Sequence, residues 1–447
     1  MRFLAWLAAL SLGTTISSQS FGSEDLLSLY REAQETSAGY RASQAGAQAE
    51  MESESIALGQ LLPSLGLSGN YGKNETDRNI GNAATENFNY ESSTYNLNFR
   101  QPIYRKYNYA LYQQAKAQGE GAASKLNQAL NELIVRLSSA YLEALYANDQ
   151  LALLDAQKMA IAAQVKASEK GMIAGSGTRI DIDEARARYD LVQAQELEAE
   201  NRRRDTLRIL SGFINREVAE LRPLNINSFN PRPPNPPDVN TWLALAEANN
   251  TEYQVLQSQV KAAEHEVEKA LAGHYPTLDL VASGGRSTND NLSNLNNRGN
   301  TEYKTTNYGL QVNVPLFAGW QVNATVRQAR RKLEQVQMQA EEMRRNLGIQ
   351  TRREFDNVVQ GIAKVKALER AETSGRQMVA SNKRGIEGGV RSTIDALLAE
   401  QQLFTARRDL AQARYSFLIA TLKLKSLSGL LGEADVDELN KQLTSIN

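Results

Sequence analysis

The sequence predicts an α+β membrane protein: long α-helical coiled-coil hairpins plus four transmembrane β-strands per chain. Three observations predict it. Four of the ten prolines form two matched pairs, Pro63 with Pro276 and Pro102 with Pro315, and both pairs are offset by 213 residues. Next to each of these prolines lies a short stretch in which apolar and polar residues alternate. Beyond Pro102 and Pro315 no proline interrupts the chain until Pro223 and the C-terminus respectively. Proline has a fixed φ and no N–H, so it ends helices and sheet ladders alike. The other six, Pro223, Pro231, Pro233, Pro234, Pro236 and Pro237, crowd between the two halves. The pattern is two copies of one unit joined by a stiff, extended linker.

The expected organisation follows in order. Residues 1–23 read as a secretory signal: Arg2, then an apolar run from Phe3 to Leu12, then small residues before a cleavage site near 20–24. The first repeat covers 24–222, the Pro-rich linker 223–238, the second repeat 239–432, and a C-terminal tail 433–447. In the first repeat a helix is expected over 24–60. After Pro63, Leu65, Leu67 and Tyr71 alternate with Ser64, Ser68 and Asn70. A polar loop is expected over 73–92. Tyr95, Leu97 and Phe99 then alternate with Asn96, Asn98 and Arg100, up to Pro102. Period two with one apolar face marks a half-buried strand. The second repeat follows suit: helix over 239–271, a strand after Pro276, a loop over 285–306, and a strand ending at Pro315.

Each second strand is followed by a very long helical pattern. Leu126, Leu130, Leu133, Leu137, Tyr141 and Leu145 recur at three- and four-residue steps, as do Phe355, Val358, Ile362, Val365 and Leu368. A helix over 105–170 would be about 100 Å long, a length that points to coiled coil rather than a globular core. Glycine-containing turns follow, at Gly171, Gly175 and Gly177 and at Gly385, Gly388 and Gly389, and return helices are expected over 182–211 and 392–429.

Four strands cannot stand alone in lipid, because the edge N–H and C=O groups would go unsatisfied. Two chains would give eight strands, whose interior fills with side chains. Three give twelve, enough for a water-filled lumen, with the polar strand faces inside and the apolar faces on outer-membrane lipid. The expected assembly is a homotrimer with a 12-stranded β-barrel and an α-helical tunnel.

The composition sets limits. Net charge is −1, so no nucleic acid partner is expected. There is no cysteine, and His265 and His274 are the only histidines. No cofactor, metal site or catalytic constellation is expected. Arg202 to Arg204 reads as a solvated helix face. Tyr71, Tyr90, Tyr95, Tyr303, Tyr308, Phe317 and Trp320 flank the strands as candidate interface aromatics.

Specific stretches then resemble the TolC family of outer-membrane channels: the run from Ala272 to Leu280 at the third strand, Ala185 to Asp190 after the first turn, and Ala413-Arg414-Tyr415 in the last helix. The resemblance covers about 24–432. It implies a trimeric exit duct of tripartite drug-efflux pumps or type I protein secretion, in the outer membrane of a Gram-negative bacterium. A periplasmic adaptor and an inner-membrane transporter would be its partners. It also implies roles at the hairpin turns marked by Gly175 and Gly389. Asp181 and Arg391 match the periplasmic gate, and Asp395 matches an acidic selectivity ring to which Asp183 could add charge. Three positions depart from the family prototype: Ile180 replaces a threonine, Ile386 a tyrosine, and Leu398 a second acidic ring residue. By residue type alone, Thr178, Asp181, Ser392 and Asp395 read as helix caps; the paired placement at two equivalent tips and the resemblance favour the gate and ring roles for Asp181, Arg391 and Asp395. A periplasmic adaptor and a structural coiled-coil envelope protein are the alternative readings.

Overall fold

The computed structural model describes residues 23–444 apart from 80, 82–84, 176, 219, 291–300 and 389. The expected signal segment therefore lies almost wholly outside the described residues, as do Gly389 and the centre of the 285–306 loop. The first repeat runs α1 (Leu26–Thr36), α2 (Ala38–Gly59), β1 (Ser64–Arg78), β2 (Glu86–Tyr104), α3 (Lys106–Ile173) and α4 (Arg179–Ile214). The second runs α5 (Val239–Asn249), α6 (Thr251–Leu271), β3 (Thr277–Asn289), β4 (Thr301–Asn313), α7 (Gln321–Glu387) and α8 (Thr393–Leu427), and α9 (Glu433–Asn440) follows.

The structure corrects two expectations. The helix expected over 24–60 is two helices, broken at Ser37, and that over 239–271 is two, broken at Asn250. Both residues are extended, with ψ of 112° and 121°, and they again stand 213 positions apart. Asn250 holds its break from both sides: its side chain accepts from the Tyr253 N–H at 2.9 Å and donates to the Leu427 carbonyl at 3.0 Å. The second correction concerns the polar stretches expected as loops. Most of 73–92 and much of 285–306 are strand, because polar side chains extend the ladder beyond the apolar segment. Asn74 donates to Ser92 Oγ at 2.8 Å and Tyr71 to Glu91 at 2.7 Å. β1 and β2 reach 15 and 19 residues, where about 10 suffice to cross a bilayer.

The four strands form one antiparallel sheet in the order β1-β2-β3-β4, which leaves β1 and β4 as its edges among the described residues. The register puts Leu65 opposite Phe99, Leu67 opposite Leu97, and Ala282 between Phe99 and Tyr308. One face is therefore apolar and the other carries Ser, Asn, Thr and Gly, as the alternation requires.

The long helices have 68 and 67 residues, about 100 Å each. α4 and the α2 segment pack along α3, and α8 packs along α7. The main core girdles the middle of this helical body. Leu26, Leu29, Ile134, Leu137, Tyr141, Leu210 and Val436 are completely buried there or nearly so. Two short β-bridges, Glu24 with Leu221 and Leu224 with Leu443, bind the N-terminal segment, the linker and the C-terminal segment together. The segment after 432 is thus folded against the first repeat. Arg31 with Glu433 at 2.9 Å and Asn440 with Asp25 at 2.8 Å tie it there, while Arg216, just past α4, clamps the N-terminal segment through Glu24 at 2.6 Å and Glu32 at 2.7 Å. The buried Tyr141 hydroxyl lies 3.1 Å from the Glu24 carbonyl oxygen and 3.0 Å from that of Arg222. Burial pushes its pKa well above the usual tyrosine value.

Tyr141→Phe removes this donor and leaves two inward carbonyls without it. It should cost about 1–2 kcal/mol and lower the thermal unfolding midpoint of the helical body, measured by circular dichroism, with the fold unchanged.

Candidate functional site at the hairpin tips

Each hairpin tip is built by the same local chemistry. α3 ends where Ala174 N–H returns to the Lys170 carbonyl at 2.9 Å, and Gly175 adopts φ +75°, which a side chain would strain. Gly177 N–H then reaches the Gly171 carbonyl at 3.1 Å. In the second tip Gly388 N–H returns to Arg384 at 3.0 Å, and Val390 N–H to Gly385 at 2.9 Å. A Cβ on Gly385 would meet Arg391 Cγ at 2.7 Å, so that glycine admits the arginine stem.

The return helices start with matching capping boxes. Thr178 Oγ1 accepts from Asp181 N at 3.3 Å, and Asp181 Oδ2 accepts from Thr178 N at 2.8 Å. Ser392 Oγ accepts from Asp395 N at 3.2 Å, and Asp395 Oδ2 accepts from Ser392 N at 3.1 Å. Two amides that the helix leaves unpaired are satisfied at each start. The Thr178 hydroxyl and amide hold the Asp181 carboxyl below its ordinary pKa, and the Ser392 amide and hydroxyl do the same for Asp395. Ile182, Ala396 and Leu397, buried just beyond, seat each return helix on its partner.

The structure does not bring Asp181 and Arg391 together within one chain. Arg391 Nη1 stands 4.0 Å from Asp395 Oδ2, with both side chains exposed. Asp183 is held by Arg179 at 3.2 Å, so its charge is partly offset locally. Capping and a further contact are compatible, because both cap bonds fall on Oδ2 and a carboxylate has two oxygens. The tips also carry exposed apolar side chains: Ile180 is 71% and Val390 79% exposed, and Leu398 faces outward as well.

The four prolines mark the joints between sheet and helices. Pro63 and Pro276 directly precede β1 and β3, Pro102 lies beside a bulge near the end of β2, and Pro315 lies in the connection between β4 and α7, ahead of the turn at Gly319 and Trp320. Sequence reasoning missed what locks this region. Asp279, on the polar strand face and almost wholly buried, accepts from Arg100 at 2.6 Å and from Arg105 at 2.7 and 2.6 Å. Asn108 and Gln101 donate to the carbonyls of Gln60 and Leu61 at 2.6 and 3.0 Å, tying the end of α2 to β2 and α3. The only local signal was an acidic residue in a strand beside a proline joint.

Two sheet-and-hairpin repeats of this kind carry a family signature: residues 29–216 and 242–430 match the model of the outer membrane efflux protein family. The chain belongs to that family. It is 34% identical over 390 residues to the alkaline protease secretion protein AprF of Pseudomonas aeruginosa, covering 85% of this chain and 80% of that one. It is 32% identical over 406 residues to the proteases secretion protein PrtF of Dickeya chrysanthemi, with 88% and 86% covered. Identity to the outer membrane protein TolC of Escherichia coli is 31% over 429 residues, with 94% and 85% covered. Among solved structures, the outer membrane protein VceC of Vibrio cholerae superposes with a TM-score of 0.78 at 18% identity, covering 90% of this chain and 96% of that one. The CmeC outer membrane channel of Campylobacter jejuni gives 0.79 at 15%, with 95% and 91% covered. These two likenesses establish the fold. The channel is thus TolC-like and resides in the outer membrane, and the adaptor and structural coiled-coil alternatives are set aside.

The caps make a pH prediction. Both carboxyls titrate lower when folded, so their contribution is complete above the ordinary value of 3.8 and is lost as pH falls through the folded values. Amide exchange in the first turns of α4 and α8, corrected for intrinsic rates, should accelerate below about pH 4 before the mid-helix core opens. Thr178→Ala should produce the same fraying in α4 at neutral pH, at a cost of about 1 kcal/mol.

Proposed function

We propose that three copies of this chain form a passive exit duct across the outer membrane, rather than an enzyme, and that it serves type I protein secretion. The observation that carries the duct is a four-stranded sheet with two unpaired edges, apolar on one face and polar on the other, joined to helices about 100 Å long. Pairing β4 of one copy with β1 of the next closes twelve strands and satisfies every edge. The helical hairpins, six in all, line a periplasmic tunnel that ends at the capped tips. A periplasmic adaptor and an inner-membrane transporter complete the machine. Two relatives whose names specify protease secretion support secretion as the task. The family description favours a second reading, efflux of small molecules.

The native mass of the detergent-purified chain should be that of a trimer, and the trimer should conduct in planar bilayers. A monomer or dimer that conducts would exclude twelve-strand closure. In cells lacking their own duct, co-expression with a type I transporter and adaptor should restore export of a protease substrate. Restored drug resistance without export would favour the second reading.

The tip residues are proposed to work between copies. Arg391 of one hairpin meets Asp181 of a neighbouring one, a charge-assisted link worth about 1 kcal/mol or less when solvated. Three or more such links act together as a latch. Asp395, repeated three times around the axis, focuses negative potential at the entrance, and Asp183 adds to it. Arg391→Ala should raise the open probability in bilayers, and Asp395→Ala should reduce cation preference in a salt gradient. Unchanged reversal potential in both Asp395→Ala and Asp183→Ala would reduce these aspartates to caps.

A further inference from the structure

The outward face of the sheet changes chemistry along its length in a fixed order. Side chains alternate across a strand, so the register sorts every position onto one of two faces. On the apolar face of β1, Leu65 and Leu67 are followed by Gly69, Tyr71, Lys73 and Glu75. On β4 the same direction reads Val312, Leu310, Tyr308, Thr306, Lys304 and Glu302. On β3 it reads Leu278, Leu280, Ala282, Gly284, Arg286 and Thr288. Three strands thus pass from aliphatic through aromatic or small to cationic, and then to acidic or neutral polar.

The rows line up across the sheet. Tyr71, Tyr95, Gly284 and Tyr308 step by two residues from strand to strand in the pairing register. That is about 6.6 Å along the strand for about 4.8 Å across, a tilt of roughly 54°, about ten degrees above the usual range of closed barrels. This oblique row is therefore nearly level in a barrel, and its exposed tyrosines occupy the height of an interfacial aromatic girdle. Lys73 and Arg286 sit one outward position above the row, and Lys304 two. Their side chains are 77%, 59% and 77% exposed.

The opposite face lacks this zone. Between the Arg100–Asp279 cluster and Arg78, its described positions on the four strands carry no charged side chain. Cations for solvation alone would have no reason to avoid the wet face. They stand instead on the side continuous with the lipid-facing band, at the end of the strands remote from the helices. Glu302 accepts both Arg286 at 2.9 Å and Lys304 at 3.3 Å, so two cations share one carboxylate and positive charge is left over. Lys73 pairs with Glu91 at 3.0 Å, while Glu75 and Asp77 lie farther out and hold Asn87.

We propose that Lys73, Arg286 and Lys304 form a collar that binds the phosphates of the outer-leaflet glycolipid, lipid A. Three copies place nine cations around the barrel. The strong localisation of phosphate at headgroup height, directly above a girdle that fixes the barrel vertically, selects this ligand over soluble anions. The proposal rests on the outer-membrane placement of the barrel.

The test is native mass spectrometry of the detergent-purified trimer with purified bis-phosphorylated lipid A, dephosphorylated lipid A and phosphatidylethanolamine. Wild type should retain bis-phosphorylated lipid A at least about tenfold more than the dephosphorylated form, and added salt should weaken that preference. The combined variant Lys73→Gln, Arg286→Gln, Lys304→Gln should lose the preference while still binding phosphatidylethanolamine. The charge-conserving variant Lys73→Arg, Arg286→Lys, Lys304→Arg should keep it. Equal retention of the two lipid A forms by wild type overturns the collar, and so does an undiminished preference in a folded, trimeric glutamine variant. Absence of a trimer that binds any lipid would instead overturn the barrel.

Discussion

Everything in this chain answers to the unpaired edges of its sheet. A strand edge in hydrocarbon leaves rows of N–H and C=O groups with neither water nor partner, at several kcal/mol per group. β1 and β4 present such edges, and no other strand pairs with them among the described residues. Only another sheet edge of matching register can cover them, so the membrane part specifies assembly before any helix contact does. The joints must then deliver long helices from a tilted sheet without leaving further polar groups bare. The Arg100–Asp279–Arg105 cluster and the Asn108 and Gln101 bonds do that work where β2, β3 and α3 meet.

The elements themselves were legible because each rests on a periodicity that a single sequence displays. Proline marked the ends of strands, alternation marked their faces, and leucine spacing marked the long helices. The breaks at Ser37 and Asn250 were not legible. Neither residue is proline or glycine, and Asn250 is extended because Leu427, far along the chain, offers it a carbonyl. Strand length was underestimated for a related reason. Beyond the bilayer the apolar half of the alternation disappears, and cross-strand hydrogen bonds such as Tyr71 to Glu91 carry the ladder on. The tip residues were legible as residue types, and inside one chain Asp181 and Asp395 cap their helices while Asp183 pairs with Arg179 and Arg391 stands beside Asp395. Their proposed reach toward neighbouring chains is not encoded in any local pattern.

Capping and the proposed gating place different demands on one carboxylate, and the geometry of the tips is compatible with both. Asp181 and Asp395 each spend Oδ2 on their own helix. That fixes the side-chain rotamer and presents a charge of fixed direction at the end of a helix pair. A gate built on pre-oriented charges loses little side-chain entropy when it closes. The exposed Ile180 and Val390 beside them offer apolar surface that would also favour closure of the proposed gate if several tips converge.

The two repeats are not interchangeable. Prolines and helix breaks keep a spacing of 213 residues, yet Thr178 and Ser392, which begin the two return helices, stand 214 apart. From Pro315 to α7 the chain is two residues longer than from Pro102 to α3, and α7 is one residue shorter than α3, a net difference of one; in that longer connection Gly319 and Trp320 adopt φ of +59° and +66° in succession. β2 leads into α3 by a different path, through its bulge. Around a threefold axis the hairpins therefore alternate in kind, and the tunnel mouth has true threefold but only approximate sixfold symmetry. A ring of six identical subunits pressed against that mouth would find two classes of seat. Each class would take three subunits, and identical chains would be sorted into unequal roles by geometry alone.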